Sequence, residues 1–365
     1  MNVALIADPH WLSHETALFR RLIVGLADES VRAIPVVPWG VLREELSLAP
    51  ERVDYPPSRW AALSGLRLRR LAGALRATRP DVLHVMDGAL APWLGPLRRS
   101  LGAPMVVNCW SNEQYDRVVR RGGETLAVLP TERLAANVGE GVGSGDEVGR
   151  GGRGTVIRPG VMGAPEEARP PLASPDEVVC CLVICEAQAE GPVGAMLEGL
   201  AQVRGRLPQL QVFVYSFTGE EHRLWRVAKR LGLLGVFNLV AAEPGSRRLL
   251  LGVDAVIRPQ PMRTVRTLTL QAMASGRPIL AAADAWEDCL IAGETAEVID
   301  APGPAEWAAR FEALTKEPDR FRRLGEGGRA YVRAHHSFAA YIDRVIRLYH
   351  EATGQPLAFT SESRS

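Results

Sequence analysis

The sequence has almost no lysine, no long apolar run and almost no net charge, and each absence excludes something. Its lysines are Lys229 and Lys316, so nearly all positive charge comes from arginine, which stays charged and bonds carboxylates or phosphates with a planar fork. The longest apolar run, residues 178–185, is far shorter than the roughly 20 residues of a membrane-spanning helix. A net charge of +1 argues against a dedicated nucleic-acid binder, whose domain is normally clearly basic.

The cysteine pattern argues against a disulfide framework. All five cysteines lie among apolar residues without a Cys-x-x-Cys spacing, which predicts buried thiols of a reducing compartment.

No histidine pair has metal-ligand spacing on one predicted helix face, so neither a metal nor another cofactor is expected. The first residues reach Asp8 without a basic segment or a long apolar one, so no signal peptide is expected. We therefore predict a cytoplasmic protein.

Strand-like and helix-like segments alternate along the 365 residues. Residues 3–7 and 82–86 have the continuous apolar character of strands that are buried on both faces, and apolar residues recur at helical spacing over 15–27 and 59–77. The second half repeats the alternation from residue 178 onward. Repeated strand–helix–strand units predict an α/β fold with parallel sheets covered by helices, which bind ligands at the carboxyl ends of their strands.

Two segments interrupt this alternation. Residues 139–154 are rich in glycine, but without Gly-Lys-Ser/Thr or a clear Gly-x-Gly-x-x-Gly they predict a flexible surface loop in preference to a phosphate-binding loop. Residues 165–175 are rich in proline and mark the predicted domain boundary. We expect an N-terminal Rossmann-like domain at 1–160, a C-terminal one at 176–336, and a final helix at 337–353.

Four stretches resemble GT-B glycosyltransferases, in particular glycosyltransferase family 4 (group 1). QAMASGRP at 271–278 is similar to the family's Glu-Ala-Met-Ala-x-Gly-x-Pro and lies within a region at 250–299 that resembles the family's donor site. RPDVLHVMD, VIRPGV and SFAAYIDRVIRLYHEA agree in order and spacing at 79–87, 156–161 and 337–352. The resemblance implies two Rossmann-like, doubly wound domains facing across a cleft, with the last helix crossing back to the N-terminal domain.

The same resemblance implies a function. Members of this family transfer a sugar from a nucleotide donor to an acceptor, with retention at the anomeric carbon and without a metal ion. The C-terminal domain would hold the nucleotide-sugar donor, and the N-terminal domain would hold a glycan or lipid acceptor. Such a site needs cations or N–H donors aimed at the diphosphate leaving group.

The sequence departs from the family at most of the positions that supply these groups. The family's Glu-x7-Glu motif falls on Arg263 and Gln271, its intervening glycines on Thr264 and Arg266, its diphosphate-binding Arg and Lys on Cys185 and Glu190, its acceptor-side His on Trp110, its Gly-Gly loop on Ala285 and Trp286, and its N-terminal glycine-rich loop on residues 11–15. Glu190 in place of a cation repels a diphosphate, and Cys185 donates no strong charge-assisted hydrogen bond. The usual donor site is therefore expected to be absent.

Candidate donor-binding residues follow the strand that ends near residue 258. They are Arg258, Arg263, Arg266, Thr267 and Gln271. The arginines are either a relocated site for a phosphate or carboxylate, or solvated loop side chains. Gln271 is either a ribose contact or an ordinary helix residue.

Candidate catalytic residues lie on the acceptor side. They are Asp87, His84 and His10, with His14 close to His10 in sequence. His84 and Asp87 end a predicted strand, where Asp87 either orients an acceptor hydroxyl or caps a turn. His10 and His14 follow the first strand, where the family places acceptor and phosphate contacts.

Residues 59–79 are basic on one side and apolar on the other. Such a helix either makes a peripheral contact with the inner face of a membrane or packs on its sheet with a solvated basic face.

Two functions stay open. One is a retaining glycosyltransferase with an unusual donor site, and the other is a catalytically inactive GT-B homologue that binds a ligand or partner. Neither interpretation involves nucleic acid.

Overall fold

The structure is a computed structural model, and the residues it describes are 1–40, 51–55, 65–121, 125–138, 142–143, 154–163, 171–172, 178–186, 191–216, 221–240, 246–262 and 264–356. Arg263, Glu190, residues 59–64 and most of the segments 139–154 and 165–175 lie outside the described residues. The chain divides into two units, which are Met1–Gly160 with Phe338–Ser365, and Val161–Ser337.

The first unit is built on an eight-stranded parallel sheet. Its strands are β1 (Asn2–Ile6), β2 (Arg32–Pro38), β3 (Val53–Tyr55), β4 (Val82–Val85), β5 (Met105–Asn108), β6 (Thr125–Leu129), β7 (Val142–Gly143) and β8 (Gly154–Val156). Its described helices are α1 (Pro9–Asp28), α2 (Gly65–Thr78), α3 (Ala91–Leu101), α4 (Asn112–Arg121), α5 (Glu132–Val138) and, from the end of the chain, α12 (Phe338–Thr353).

The strand order of this sheet is β3-β2-β1-β4-β5-β6-β8-β7. Its first six strands have the 3-2-1-4-5-6 order of doubly wound folds, in which the order reverses between the first and the fourth strand. Ile6 of β1 stands beside Val36 of β2 and Val85 of β4. All four residues of β4 are buried, because a parallel strand covered by helices has no solvated face.

The second unit repeats this architecture with a six-stranded parallel sheet in the order β11-β10-β9-β12-β13-β14. Its strands are β9 (Val179–Cys185), β10 (Leu210–Ser216), β11 (Phe237–Val240), β12 (Ala255–Arg258), β13 (Ile279–Ala282) and β14 (Glu297–Ile299). Its described helices are α6 (Pro192–Val203), α7 (Glu221–Arg230), α8 (Ser246–Gly252), α9 (Thr267–Ala274), α10 (Pro304–Lys316) and α11 (Pro318–His335). The order again corresponds to 3-2-1-4-5-6, with the reversal between β9 and β12. The prediction of two doubly wound parallel sheets is confirmed.

Apolar side chains cover both faces of the second sheet. One cluster joins the sheet to α6, α7 and α10 around Trp307 and Phe311, and the other joins it to α8, α9 and α11 around Leu250 and Met273. The carboxylate of Asp254, just before β12, is buried and accepts the backbone N–H groups of Leu172 (3.0 Å) and Cys180 (2.9 Å). This buried polar group therefore fastens the start of the central strand β9.

Helix α1 begins earlier than the predicted start at residue 15. Asp8 is its N-cap, since Oδ1 of Asp8 accepts the backbone N–H groups of His10 (2.8 Å) and Trp11 (3.3 Å), and a proline occupies the first turn. The backbone is not helical at Glu15, which marks a kink where the apolar pattern predicted the start. His10 and His14 therefore lie four residues apart on one helix, with ring centroids 4.9 Å apart, and the expectation that no histidine pair shares a helix face is wrong.

Helix α12 packs on α1, β4 and β5. Two glycines allow this close approach. A Cβ atom on Gly25 would stand 2.7 Å from the Ile342 side chain, and one on Gly160 would stand 2.7 Å from Cα of Phe338. The end of the chain therefore completes the packing of the first unit.

Candidate functional site

The second sheet has a cavity at its switch point. Its volume is about 530 Å³, and it is lined by residues that follow β9, β12 and β13 and by the start of α6, namely Glu186, Pro192, Gln260, Pro261, Met262, Ala283, Asp284, Ala285 and Trp286. Doubly wound sheets bind ligands outside the carboxyl ends of their strands, at the point where the strand order reverses. A cavity of this size is within the range of small-molecule sites.

A buried ion network braces one wall of this cavity. The Arg258 guanidinium, at the end of β12, contacts Asp284 (2.7 Å) and Glu287 (3.1 Å), and all three side chains are almost fully buried. The Asp284 carboxylate also accepts the backbone N–H groups of Met262 (2.9 Å) and Trp286 (3.0 Å). One carboxylate therefore holds the loop after β12 against the loop after β13.

The loop after β9 is tied to the same wall by an amide. Nε2 of Gln260 donates a hydrogen bond to the backbone carbonyl of Glu186 (3.1 Å), and Gln260 is buried. Bonds among the described residues therefore join all three strand-end loops, so this part of the cavity is preformed.

Burial and charge act in opposite directions within the Arg258 network. Burial alone would lower the pKa of Arg258, but the carboxylates of Glu287 and Asp284 leave that pKa raised. Burial raises the pKa of Glu287 although Arg258 opposes it. Arg258 therefore stays charged and is neutralised within the protein, and at 1% exposure it belongs to the scaffold of the loops. The diphosphate contact predicted for it has no support in this geometry.

The other described donor candidates lie at the start of α9. Arg266 is the N-cap residue of this helix and is 8% exposed, while Thr267 and Gln271 are also buried. Nε2 of Gln271 donates to Oγ1 of Thr267 at 3.1 Å. The structure thus brings Thr267 and Gln271 together in one hydrogen bond, whereas Arg263 lies outside the described residues.

On the first sheet, His84 is held between two other elements. Its Nδ1 lies 2.5 Å from the Tyr349 hydroxyl on α12, and its Nε2 lies 3.0 Å from Oδ1 of Asn108 on β5. Burial lowers the pKa of His84 to about 4, against the opposing hydrogen bond from Asn108. In the neutral tautomer that satisfies both contacts, Nε2 donates to Asn108 and Nδ1 accepts from Tyr349. With 1% exposure, this histidine fastens α12 to the sheet.

Asp87 caps the turn that follows β4. Its Oδ1 accepts the backbone N–H of Ala89 (2.8 Å) and the Nε2–H of Gln114 (2.7 Å), and the residue is 6% exposed. Oε1 of Gln114 accepts in turn the backbone N–H of Trp110 (2.8 Å). Of the two roles considered for Asp87, the geometry supports the cap.

Indole rings occupy the carboxyl edge of the first sheet. Trp11 and Trp110 are buried with ring centroids 6.1 Å apart, and Nε1 of Trp110 donates to the Met86 carbonyl (2.7 Å). A cavity beside Trp110 and Tyr341 has a volume of only about 10 Å³, which is room for about one water molecule. Among the acceptor-side candidates only His10 is exposed.

The sequence analysis missed the side chains that shape the cavity. Asp284, Glu287 and Gln260 belong to no recognisable sequence motif. The sequence gives only an indirect indication of the two acids: they lie three residues apart after a buried apolar segment, and an arginine ends an earlier apolar segment. In the described part of the chain, no group of three His, Cys, Asp or Glu side chains has an arrangement that could hold a metal ion.

Comparison with known proteins was made for sequence and for fold. No protein-family model matches the sequence. The sequence is 26% identical to a D-inositol 3-phosphate glycosyltransferase of Thermomonospora curvata over 63% of this chain and 59% of that protein. It is 24% identical to a protein of the same name from Thermobispora bispora over 86% of this chain and 81% of that protein.

Solved structures match almost the whole chain. Anabaena HepE in complex with UDP and glucose has a TM-score of 0.74 at 12% identity, covering 96% of this chain and 100% of HepE. Sucrose-phosphate synthase from Thermosynechococcus elongatus has a TM-score of 0.72 at 15% identity, covering 97% and 99%. The resemblance inferred from the sequence is confirmed: this chain is a glycosyltransferase-like protein with the GT-B fold, similar to family 4.

Proposed function

We propose that the protein is a retaining, metal-independent glycosyltransferase that binds a nucleotide-sugar at the carboxyl edge of its second sheet. The observation that carries this proposal is the cavity of about 530 Å³ at the switch point between β9 and β12. The relatives are named as glycosyltransferases of D-inositol 3-phosphate, and HepE binds UDP and glucose. A glycan or lipid acceptor completes the proposed reaction.

The charges near the cavity make ordinary donors weak ligands. The described charged residues that line it are Glu186 and Asp284, and Arg258 is neutralised by Asp284 and Glu287. A diphosphate therefore depends on Arg266 or on Arg263. Replacing the attraction of a cation by the repulsion of an anion weakens diphosphate binding by several kcal/mol, at an effective dielectric of about 20 and a distance of about 4 Å.

Calorimetry with UDP- and GDP-sugars tests this site. We expect weak binding that falls at least about tenfold in Arg263→Ala and in Arg266→Ala, because each 1.4 kcal/mol is a factor of about ten in affinity. Arg347→Ala removes an exposed arginine of α12 that is paired with Asp343 and should leave the affinity unchanged. NMR of the product of any turnover reports the anomeric configuration.

Two results would contradict the proposal in different ways. Tight donor binding that survives loss of both Arg263 and Arg266 would show that the diphosphate binds elsewhere. Absence of binding and of turnover with every nucleotide-sugar would favour the alternative, a catalytically inactive GT-B homologue. The enclosed Arg258–Asp284–Glu287 network is the observation that keeps this alternative in view.

Peripheral membrane contact through residues 59–79 is a further part of the proposal. No helix among the described residues combines the length and the apolar character needed to cross a membrane. On the described part of α2, Arg69 and Arg70 are exposed whereas Leu71 and Leu75 are buried. Helix α2 therefore offers charge to a membrane surface, while its described leucines at these positions pack inward.

A further inference from the structure

Helix α7 of the second unit presents a cationic face. Leu224 and Ala228 are its buried residues. At 3.6 residues per turn, the opposite side of the helix carries Lys229, His222 and Arg226, and Arg230 and Arg223 continue the same stripe. All five of these side chains are exposed. Glu221, in the first turn, is the acidic residue of this helix, so the outward face has a clear excess of positive charge.

Three of the α7 cations differ from paired arginines on other helices. Arg120 pairs with Asp116 on α4, and Arg347 pairs with Asp343 on α12. In the part of the chain that the structure describes, Arg226, Lys229 and Arg230 make no such ion pair. Like charges three and four residues apart repel one another on a helix, so this stripe is stabilised when an external anion approaches it.

Large apolar side chains flank the stripe. Trp225 and Leu234 are each 42% exposed. The Trp225 ring lies 6.2 Å from the ring of Phe237, at the start of the edge strand β11, so the indole stands between the cations and the edge of the sheet. An exposed tryptophan beside several cations suits the boundary between lipid headgroups and acyl chains, because the ring has an apolar body and a polar N–H.

We propose that α7 and the turn after it form a docking surface for a membrane containing anionic lipid. We call His222, Arg223, Trp225, Arg226, Lys229 and Leu234 the α7 surface. Its cations are attracted to anionic headgroups, and Trp225 and Leu234 enter the interface. A nucleic acid would use the cations alone and would leave Leu234 in water, and a chain with a net charge of +1 is not built for polyanions in general.

Vesicle co-sedimentation of the full chain tests this surface. We expect binding to phosphatidylcholine vesicles that contain phosphatidylglycerol, little binding to phosphatidylcholine alone, and weakening as NaCl is raised. The double variant Arg226→Glu/Lys229→Glu should lower the membrane partition coefficient at least about tenfold, because each cation near an anionic surface contributes to the attraction. Trp225→Ala should lower the partition coefficient while keeping the dependence on NaCl, since it removes no charge.

One further double variant is a matched control, and another separates the two proposed membrane contacts. Arg120→Glu/Arg347→Glu changes the net charge by the same amount at residues already paired with acids and should bind vesicles nearly as the wild type does. Arg69→Glu/Arg70→Glu reverses the exposed cations of α2, the other helix proposed to contact a membrane, and the α7 double variant should lower binding whether or not this change is also present. Circular dichroism checks that every variant is folded. Equal losses in the α7 double variant and in Arg120→Glu/Arg347→Glu, a loss confined to the α2 variant, absence of wild-type binding, or binding to RNA but not to vesicles would each overturn the proposal.

Discussion

His84 and Arg258 are buried polar side chains bonded to other buried side chains, and burial and these partners together set their charge. His84 is neutral between Tyr349 and Asn108. A charged imidazole would lose its hydration on burial, and its protonated Nδ1 could no longer accept the hydrogen bond from Tyr349. Arg258 keeps its charge because two carboxylates surround it. Removing a partner of such a residue, or protonating it, therefore lowers the free energy of unfolding, and we expect this effect to be larger than any direct effect on ligand affinity.

The low pKa of His84 predicts a loss of stability in mild acid. The unfolded chain binds the proton near pH 6.5, whereas folded His84 binds it near pH 4. The contribution is therefore fully present above pH 6.5 and is lost as the pH falls toward 4, by at most about 3 kcal/mol. Urea unfolding at about pH 7 and about pH 5 should show a smaller difference in His84→Gln than in the wild type.

The exposed His335 provides the control for this experiment. His335→Gln removes a histidine without touching the contact between α12 and the sheet, so it should keep the part of the pH dependence that comes from His84. An unchanged pH dependence in His84→Gln would mean that the histidine does not resist protonation in the folded state.

The Arg258 network predicts that a conservative substitution is destabilising. Lysine has one ammonium group in place of the planar fork and cannot reproduce both contacts, to Asp284 and to Glu287. Breaking part of a buried ion network destabilises by roughly 3 kcal/mol, so Arg258→Lys should lower the melting temperature measured by calorimetry. Arg347→Lys alters an exposed pair and should have little effect. If Arg258→Lys kept the melting temperature of the wild type but bound the donor more weakly, Arg258 would instead be identified as a ligand contact.

At the scale of elements, helix ends and helix contacts depend on single small or polar residues. Asp8 sets the beginning of α1 because its carboxylate satisfies two N–H groups that have no partner within the helix. Gly160 lets α12 approach the chain that follows β8. Hydrophobic periodicity carries neither kind of information, which explains why the predicted start at residue 15 was late.

Gly160 predicts a steric test of α12 packing. A methyl group there would stand 2.7 Å from Cα of Phe338 and 2.8 Å from Cβ of Tyr341, so the helix must shift. Overpacking of this kind destabilises by about 1–3 kcal/mol, and we expect Gly160→Ala to lower the melting temperature and to speed proteolysis of α12. At Gly163 a Cβ atom meets nothing within 4 Å, so Gly163→Ala should behave as the wild type. Equal behaviour of the two variants would contradict the close packing.

Elements with a weak apolar pattern were not predicted. Helix α4 has the sequence NEQYDRVVRR, in which Tyr115 and Val118 are buried at helical spacing, but two buried positions in a short, polar segment do not distinguish a helix from a polar loop. Strand β14 has three residues and is recognisable only beside β13 in the sheet. Such elements owe their conformation to neighbours that are distant in sequence.

At the scale of the whole molecule, the sequence predicted the fold class and the similarity to GT-B glycosyltransferases. Two series of apolar strands and helices specify doubly wound sheets, because only strands buried on both faces have that pattern. QAMASGRP and three further stretches predicted a GT-B glycosyltransferase-like protein, which the relatives and the solved structures bear out. The domain boundaries and the roles of the site residues stay predictions.

By itself, the sequence determined the alternation of strongly apolar strands and helices in a doubly wound fold, because burial periodicity is a local property. It also showed that the family's donor-site residues are replaced at Cys185, Glu190 and Arg263. Only the tertiary structure decided that Arg258 is neutralised by Asp284 and Glu287 and that His84 is bonded to Tyr349, 265 residues away. The physical reason is that the charge state and availability of a side chain depend on partners that folding alone brings within a few ångströms.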